Sequence, residues 1–171
     1  MLPQMNSSAS GLVAAAGKGD IIKLLGVTIT VKIPSAATGG DFVLIECTVP
    51  PHFRGPPPYC HARTTQVFYL IDGMLAFTLG EETVTANQDA TVLIPPRMAH
   101  AFWNPTAVPA TFLVMAAPGG LEHCLRELAD LIAAEPVWPP ADMHNLAALA
   151  ASYDLVLPQS SGPQRTQSTK R

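Results

Sequence analysis

The hydrophobic pattern of this 171-residue chain changes period near residue 119. Ahead of that point apolar and polar positions alternate. Val27 to Ile33 alternates with β-branched residues, and Phe42 to Val49 is a second apolar-rich run, as expected for strands with one buried face. Val67 to Ile71 is closed by Asp72-Gly73, the strongest short turn signal in the chain. Leu75 to Leu79, the polar tip Gly80-Glu81-Glu82 and Thr83 to Ala86 predict a hairpin. Thr91 to Ile94, His100 to Trp103 and Ala110 to Ala116 supply further strands. Short strands broken by frequent turns predict a sandwich or closed barrel rather than a βαβ sheet.

Past residue 119 the period becomes helical. Leu121, Cys124, Leu125, Leu128 and Ile132 share one face, with Glu122, Arg126, Glu127 and Asp130 on the other. Proline-rich Pro136 to Pro140 ends that helix, and Asp142 is the expected N-cap of a second one running to about Tyr153, with Leu146 and Leu149 facing inward. Two such helices would brace the barrel or close one of its mouths. Residues 1–10 are expected to be a flexible N-terminus, 11–157 a single domain with helices from about 119, and 158–171 a disordered tail of Ser, Gln, Pro and basic residues.

Composition narrows the function. The formal charge is -3, and three of the 10 basic residues lie in the last seven positions, so 13 acidic residues outnumber basic ones over the rest of the chain. That surface repels phosphate backbones, which argues against a nucleic-acid partner. Only 13% of residues are charged and 48% are hydrophobic, as expected for a compact barrel with an apolar lumen. Cys47, Cys60 and Cys124 form no CxxC pair or disulfide framework, which predicts a reduced protein. No run approaches the roughly 20 apolar residues of a membrane span. No signal-peptide pattern is present, so the expected location is cytoplasmic.

The chemistry concentrates between Pro56 and Asn104. Tyr59-Cys60-His61 is followed by Gln66 and Gly73, and then by Ile94-Pro95-Pro96-Arg97-Met98-Ala99-His100-Ala101-Phe102-Trp103-Asn104. This resembles the two motifs of the cupin superfamily. Gly73, Pro95, His100 and Asn104 fall at the family offsets, whereas Asp89 and Arg97 replace two glycines of the second motif. Gly26 to Val31 and the Pro118-Gly119-Gly120 entry into a helix are similar to small single-domain cupins, some related to quercetin dioxygenases. The resemblance implies a mainly β fold, a cupin-type antiparallel β-barrel (jelly roll) with two C-terminal helices, and a homodimer. It also implies a divalent metal held by three histidines and a glutamate. Here His61 and His100 match histidine positions, but Tyr59 and Gln66 replace a histidine and the glutamate, a degenerate metal site.

Period-two geometry makes the site concrete. Tyr59 and His61 project to one face of an extended strand and Cys60 to the other, where core packing is its expected role. By resemblance the lumen is lined by Tyr59, His61, Gln66, Phe68, His100 and Phe102. Glu46 is the one carboxylate placed to join them, sharing a face with Phe42 and Leu44. His52, Arg54 and Arg63 are expected at the rim or surface, and His123 and His144 on solvent-facing helix positions. An amide carbonyl is a weaker ligand than a carboxylate, and tyrosine binds metal well only as phenolate. The expected cofactor is therefore none, or a weakly bound divalent metal on His61 and His100.

Without a metal, His61, His100 and Tyr59 suit acid–base catalysis, with Gln66, Phe68, Phe102 and Glu46 binding the substrate. The expected function is that of a small-molecule enzyme, placed in secondary metabolism. It would isomerise, cyclise or dehydrate an apolar aromatic or polyketide-like compound. The alternatives are a metal-dependent quercetinase-like dioxygenase and a non-enzymatic ligand-binding or regulatory protein.

Overall fold

The structure, a computed structural model, describes residues 11–135, 137 and 143–157. The expected flexible N-terminus, the Asp142 cap and the expected tail fall outside those residues. Eleven strands are seen among the described residues: β1 (Asp20–Leu24), β2 (Val27–Ile33), β3 (Val43–Val49), β4 (Cys60–His61), β5 (Thr65–Asp72), β6 (Met74–Leu79), β7 (Glu82–Asn87), β8 (Thr91–Ile94), β9 (His100–Trp103), β10 (Ala110–Ala117) and β11 (Leu155–Val156). Two helices follow the main β region, α1 (Leu121–Ala134) and α2 (His144–Ser152). All paired strands run antiparallel. One sheet has the order β1-β2-β3-β10-β5-β8, a second β7-β6-β9, and a two-stranded piece joins β11 to β4.

The large sheet carries most of the core because alternation commits one face of each strand inward. On β3 the buried residues are Val43, Ile45, Cys47 and Val49, and on β10 they are Ala110, Phe112, Val114 and Ala116. Phe68 of the large sheet meets Phe77 of the small one edge to face at 5.2 Å, so the two inner faces close on each other. β5 ends where expected: Gly73 has φ 78°, and a Cβ there would stand 2.7 Å from the Pro109 carbonyl oxygen. Only glycine satisfies both conditions.

Asp89 and Arg97 adopt φ values of 66° and 67°, the left-handed region, despite carrying side chains. The backbone bends associated with the lost glycines are thus present, at a steric cost of about 1–2 kcal/mol for an ordinary L-residue. The bend at Arg97 has a use, since its N–H donates to the His61 carbonyl at 2.7 Å and ties the second motif to the first.

Two expectations need correction. Glu46 does not enter the lumen. β3 buries its odd-numbered side chains, which are uniformly apolar, and Glu46 lies half-buried on the outer face, 4.0 Å from the Lys32 ammonium. Phe42 and Leu44 are likewise only partly buried. Cys60 does point away from the lumen, but it is half-exposed rather than core, because β4 is only two residues long and its outer edge is paired with just Val156 and its neighbour. The second helix begins at His144 behind Met143, which makes no side-chain cap bond.

Candidate functional site

Between the inner face of the large sheet and the two helices lies an apolar cavity of about 300 Å³. Its walls come from β1–β3, β5, β10 and the Phe53–Pro57 loop, and α1 contributes Leu121, Cys124, Leu125, Leu128 and Ile132. Leu146 of α2 and Leu155 and Leu157 at the C-terminal end complete it. The apolar stripe of α1 therefore covers the cavity as its helical period implied. Cys47, Cys124 and the leucines of β1 and β11 were not anticipated as lining residues. Cys47 lies on the inward parity of β3, the signal that could have placed it.

Polar side chains gather at one end. Tyr59, His61, Gln66, Phe68 and Phe102 all line the cavity. Tyr59 pairs directly with His100 across an isolated antiparallel bridge, each N–H donating to the other's carbonyl, at 3.0 and 2.9 Å. That pairing lays the two rings 4.3 Å apart, while Tyr59 sits 5.7 Å from His61 in an edge-on arrangement. His100 is thereby covered by Tyr59 and does not form part of the cavity wall, unlike its expected position. It stands behind the tyrosine, with its Nδ1 3.0 Å from the Met98 carbonyl, a geometry in which a neutral ring donates from Nδ1 and leaves Nε2 as acceptor.

Four buried polar atoms here have no protein partner: both ring nitrogens of His61, Nε2 of His100 and Oε1 of Gln66. Burial of an unpaired polar group costs roughly 1–3 kcal/mol by mutational measures. Such clustering at one end of an apolar cavity is the arrangement of a site that completes its hydrogen bonds with a ligand or water. Burial lowers the His61 pKa to about 4, with nearby His100 adding to the shift and Asp154 opposing it. Burial also lowers that of His100. Both rings are neutral at pH 7. Burial pushes the Tyr59 phenol well above its ordinary range, an effect only partly offset by the Gln66 amide, so Tyr59 remains an O–H donor.

These donors do not suit a tightly held divalent metal. Among the described residues no three His, Cys, Asp or Glu side chains form a group that could hold an ion. What remains is two imidazoles, a neutral amide and a phenol kept protonated by burial, with no anionic ligand to offset the ion's charge. Two imidazoles on a tetrahedral ion at about 2.1 Å would hold their ring centroids about 5 Å apart. The His61 and His100 centroids are 6.5 Å apart.

The remaining candidates lie elsewhere. His52, Arg54 and Arg63 are exposed, as are His123 and His144 on the helices. Glu122 is buried, where it accepts hydrogen bonds from the Ser35 backbone and hydroxyl and from the Gly120 N–H, fastening the start of α1 to the barrel. No described helix is long and apolar enough to cross a membrane.

Residues 45–116 match the family model described as Cupin domain. Among solved structures, KdgF from Halomonas sp. superposes with a TM-score of 0.58 at 13% identity, covering 67% of this chain and 99% of that one. A predicted oxalate decarboxylase from Thermotoga maritima gives 0.58 at 12% identity, over 63% and 99%. Pac13, a nucleoside dehydratase from Streptomyces, gives 0.52 at 15% identity, over 67% and 88%. At these identities the likeness is one of fold. No curated protein matches the sequence.

Proposed function

From a cupin barrel built around residues 45–116, we propose an enzyme that binds an apolar, aromatic or polyketide-like molecule in its lumen and moves a proton on it. The observation that carries this reading is the set of unpartnered buried polar atoms on His61, Gln66 and His100 at the end of an otherwise apolar 300 Å³ cavity. His61 is the one imidazole on the wall and acts as the base. It is neutral at pH 7, and an imidazolium in this setting is stabilised chiefly by negative charge developing on the substrate beside it. Tyr59 donates a hydrogen bond to that developing oxyanion, and Gln66 orients a second polar atom of the same molecule. Phe68 and Phe102 hold the apolar body. His100 acts through Tyr59, setting the position of its ring.

This chemistry covers isomerisation, ring closure and dehydration. In Pac13, a nucleoside dehydratase, a barrel of this architecture hosts one such reaction. The donor set weighs against a metal-dependent dioxygenase. The test is to incubate the purified protein with aromatic and polyketide-like carbonyl compounds in deuterium oxide and follow label entering the compound by mass spectrometry. His61→Ala should cut label exchange by roughly a hundred- to ten-thousand-fold, the usual effect of losing an acid–base group. Phe102→Ala should chiefly weaken binding. Tight binding with no exchange or turnover across the panel would replace the enzyme reading with that of a binding protein.

A further inference from the structure

A second pocket of about 180 Å³ lies against His61, and its character is opposite to that of the lumen. Arg63, Thr64, Ser152, Tyr153 and Asp154 line it, together with the Pro118–Leu121 turn that opens α1. His61 and Leu121 belong to the walls of both pockets. His61 is 5% exposed, and both of its ring nitrogens are buried without a protein partner.

The polar pocket is a built feature. Asp154, at φ 64° between α2 and β11, accepts hydrogen bonds from the Arg63 and Thr64 N–H groups at 2.8 and 3.1 Å. It also accepts from the Thr64 hydroxyl at 3.2 Å and Arg63 Nε at 3.3 Å. Its carbonyl accepts from the Ala62 N–H at 2.9 Å, and Leu155 pairs with His61 itself. The chain's last described turn thus frames a polar chamber on the strand that carries the base. One cation, Arg63, faces one anion, Asp154, so the chamber has no net charge to select a charged ligand. The Tyr153 hydroxyl is turned to Glu127 and the Ser152 hydroxyl to the Ala148 carbonyl. A neutral, polar space of this size suits several waters, each taking about 30 Å³.

We propose that this chamber is the water and proton port of the lumen site, through which His61 exchanges protons with solvent while the apolar lumen stays dry. The inference rests on the proton-transfer reading above. A proton abstracted from the lumen substrate enters one ring nitrogen and forms imidazolium. The ring then gives up the proton on its other nitrogen to a chamber water, leaving neutral imidazole as the opposite tautomer; the reverse relay, a proton from chamber water onto the outer nitrogen and the lumen-side proton back to the substrate anion, completes the exchange and restores the starting tautomer.

The port can be tested without knowing the substrate, by measuring exchange of histidine ring protons with water in ¹⁵N-histidine-labelled protein. The Nδ1 proton of His100, bonded to Met98, is the protected internal reference. The His61 ring proton should exchange at least tenfold faster than that reference. Ser152→Trp, which fills the chamber from an exposed position, should slow it at least tenfold, and Ser152→Leu should slow it less. Leu146→Trp, placed in the lumen wall, should leave it within twofold. An unchanged His100 resonance establishes that each variant is folded. If Leu146→Trp slows exchange and the Ser152 variants do not, water reaches His61 through the lumen and the port is overturned. Exchange unaffected by any variant overturns it equally. The proposed function is tested separately, by deuterium incorporation into the substrate, and stands or falls independently of either result.

Discussion

The wall of the large sheet and the polar end of the lumen are built on opposite terms. The wall is long strands paired residue by residue: β10 is matched to β3 from Ala110–Val49 through Ala116–Val43, and to β5 on its other side. Its inward side chains, Gln66 apart, are apolar, and they pack on one another or face the lumen. The polar end is a two-residue strand, β4, and one isolated bridge between Tyr59 and His100, with His61 tethered through the Arg97 N–H. Its side chains are buried without partners. Among the described residues, unpaired polar burial is concentrated at that end of the lumen.

That contrast can be broken most forcefully at Phe68, which is 1% exposed and touches Phe77, Phe102 and Phe112. Phe68→Ala should lower unfolding free energy by about 3–5 kcal/mol, read from urea denaturation. A loss below about 1 kcal/mol would mean that the wall is not the packed half.

Next comes the polar end's donor set. The double change Tyr59→His with Gln66→Glu supplies a third imidazole and a carboxylate. With nickel or manganese at a thousand times its Kd, linkage should stabilise the variant by about 4 kcal/mol, reversed by chelator. The unmodified protein should show almost no chelator-dependent change in Tm. A sharp fall in its Tm would return the oxygenase reading to the front.

A smaller effect is expected from His61 itself. Its folded-state pKa of about 4 lies below the ordinary 6.5, so between those values the unfolded chain binds more protons. Its stabilising contribution is complete above about pH 6.5 and is lost as pH falls toward 4, on the order of 3 kcal/mol at most. His61→Leu should flatten this slope and, by removing two unpaired nitrogens, leave stability at pH 7 unchanged or raised by about 1–2 kcal/mol. Destabilisation by more than that at pH 7 would show the imidazole to be a structural residue. Parallel denaturation curves at pH 4.5 and 7 decide it.

Smallest is the left-handed bend at Arg97. Arg97→Gly should relieve strain and raise stability by up to about 1 kcal/mol, since the greater freedom of glycine in the unfolded chain offsets part of the gain. A destabilised variant would mean that the arginine side chain makes up for its backbone.

The sequence by itself determined the elements whose period and turn chemistry agree. Val27 to Ile33, the Asp72-Gly73 turn, the β6–β7 hairpin and the stripe of α1 all follow from local pattern; period two puts Tyr59 with His61, and Gln66 with Phe68, on shared faces, and the cupin resemblance marked those faces as inward. The inward face of β3 was legible but misassigned: its odd positions Val43, Ile45, Cys47 and Val49 are uniformly apolar, whereas Phe42 and Leu44 drew attention to the parity that carries Glu46 and Thr48. The sequence could not show that Tyr59 would cover His100, since that depends on a single long-range bridge. The polar chamber beside His61 is joined from residues near 62, 119 and 153. Local periodicity carries no information about distances between such remote segments; the closure of the sheets brings them together.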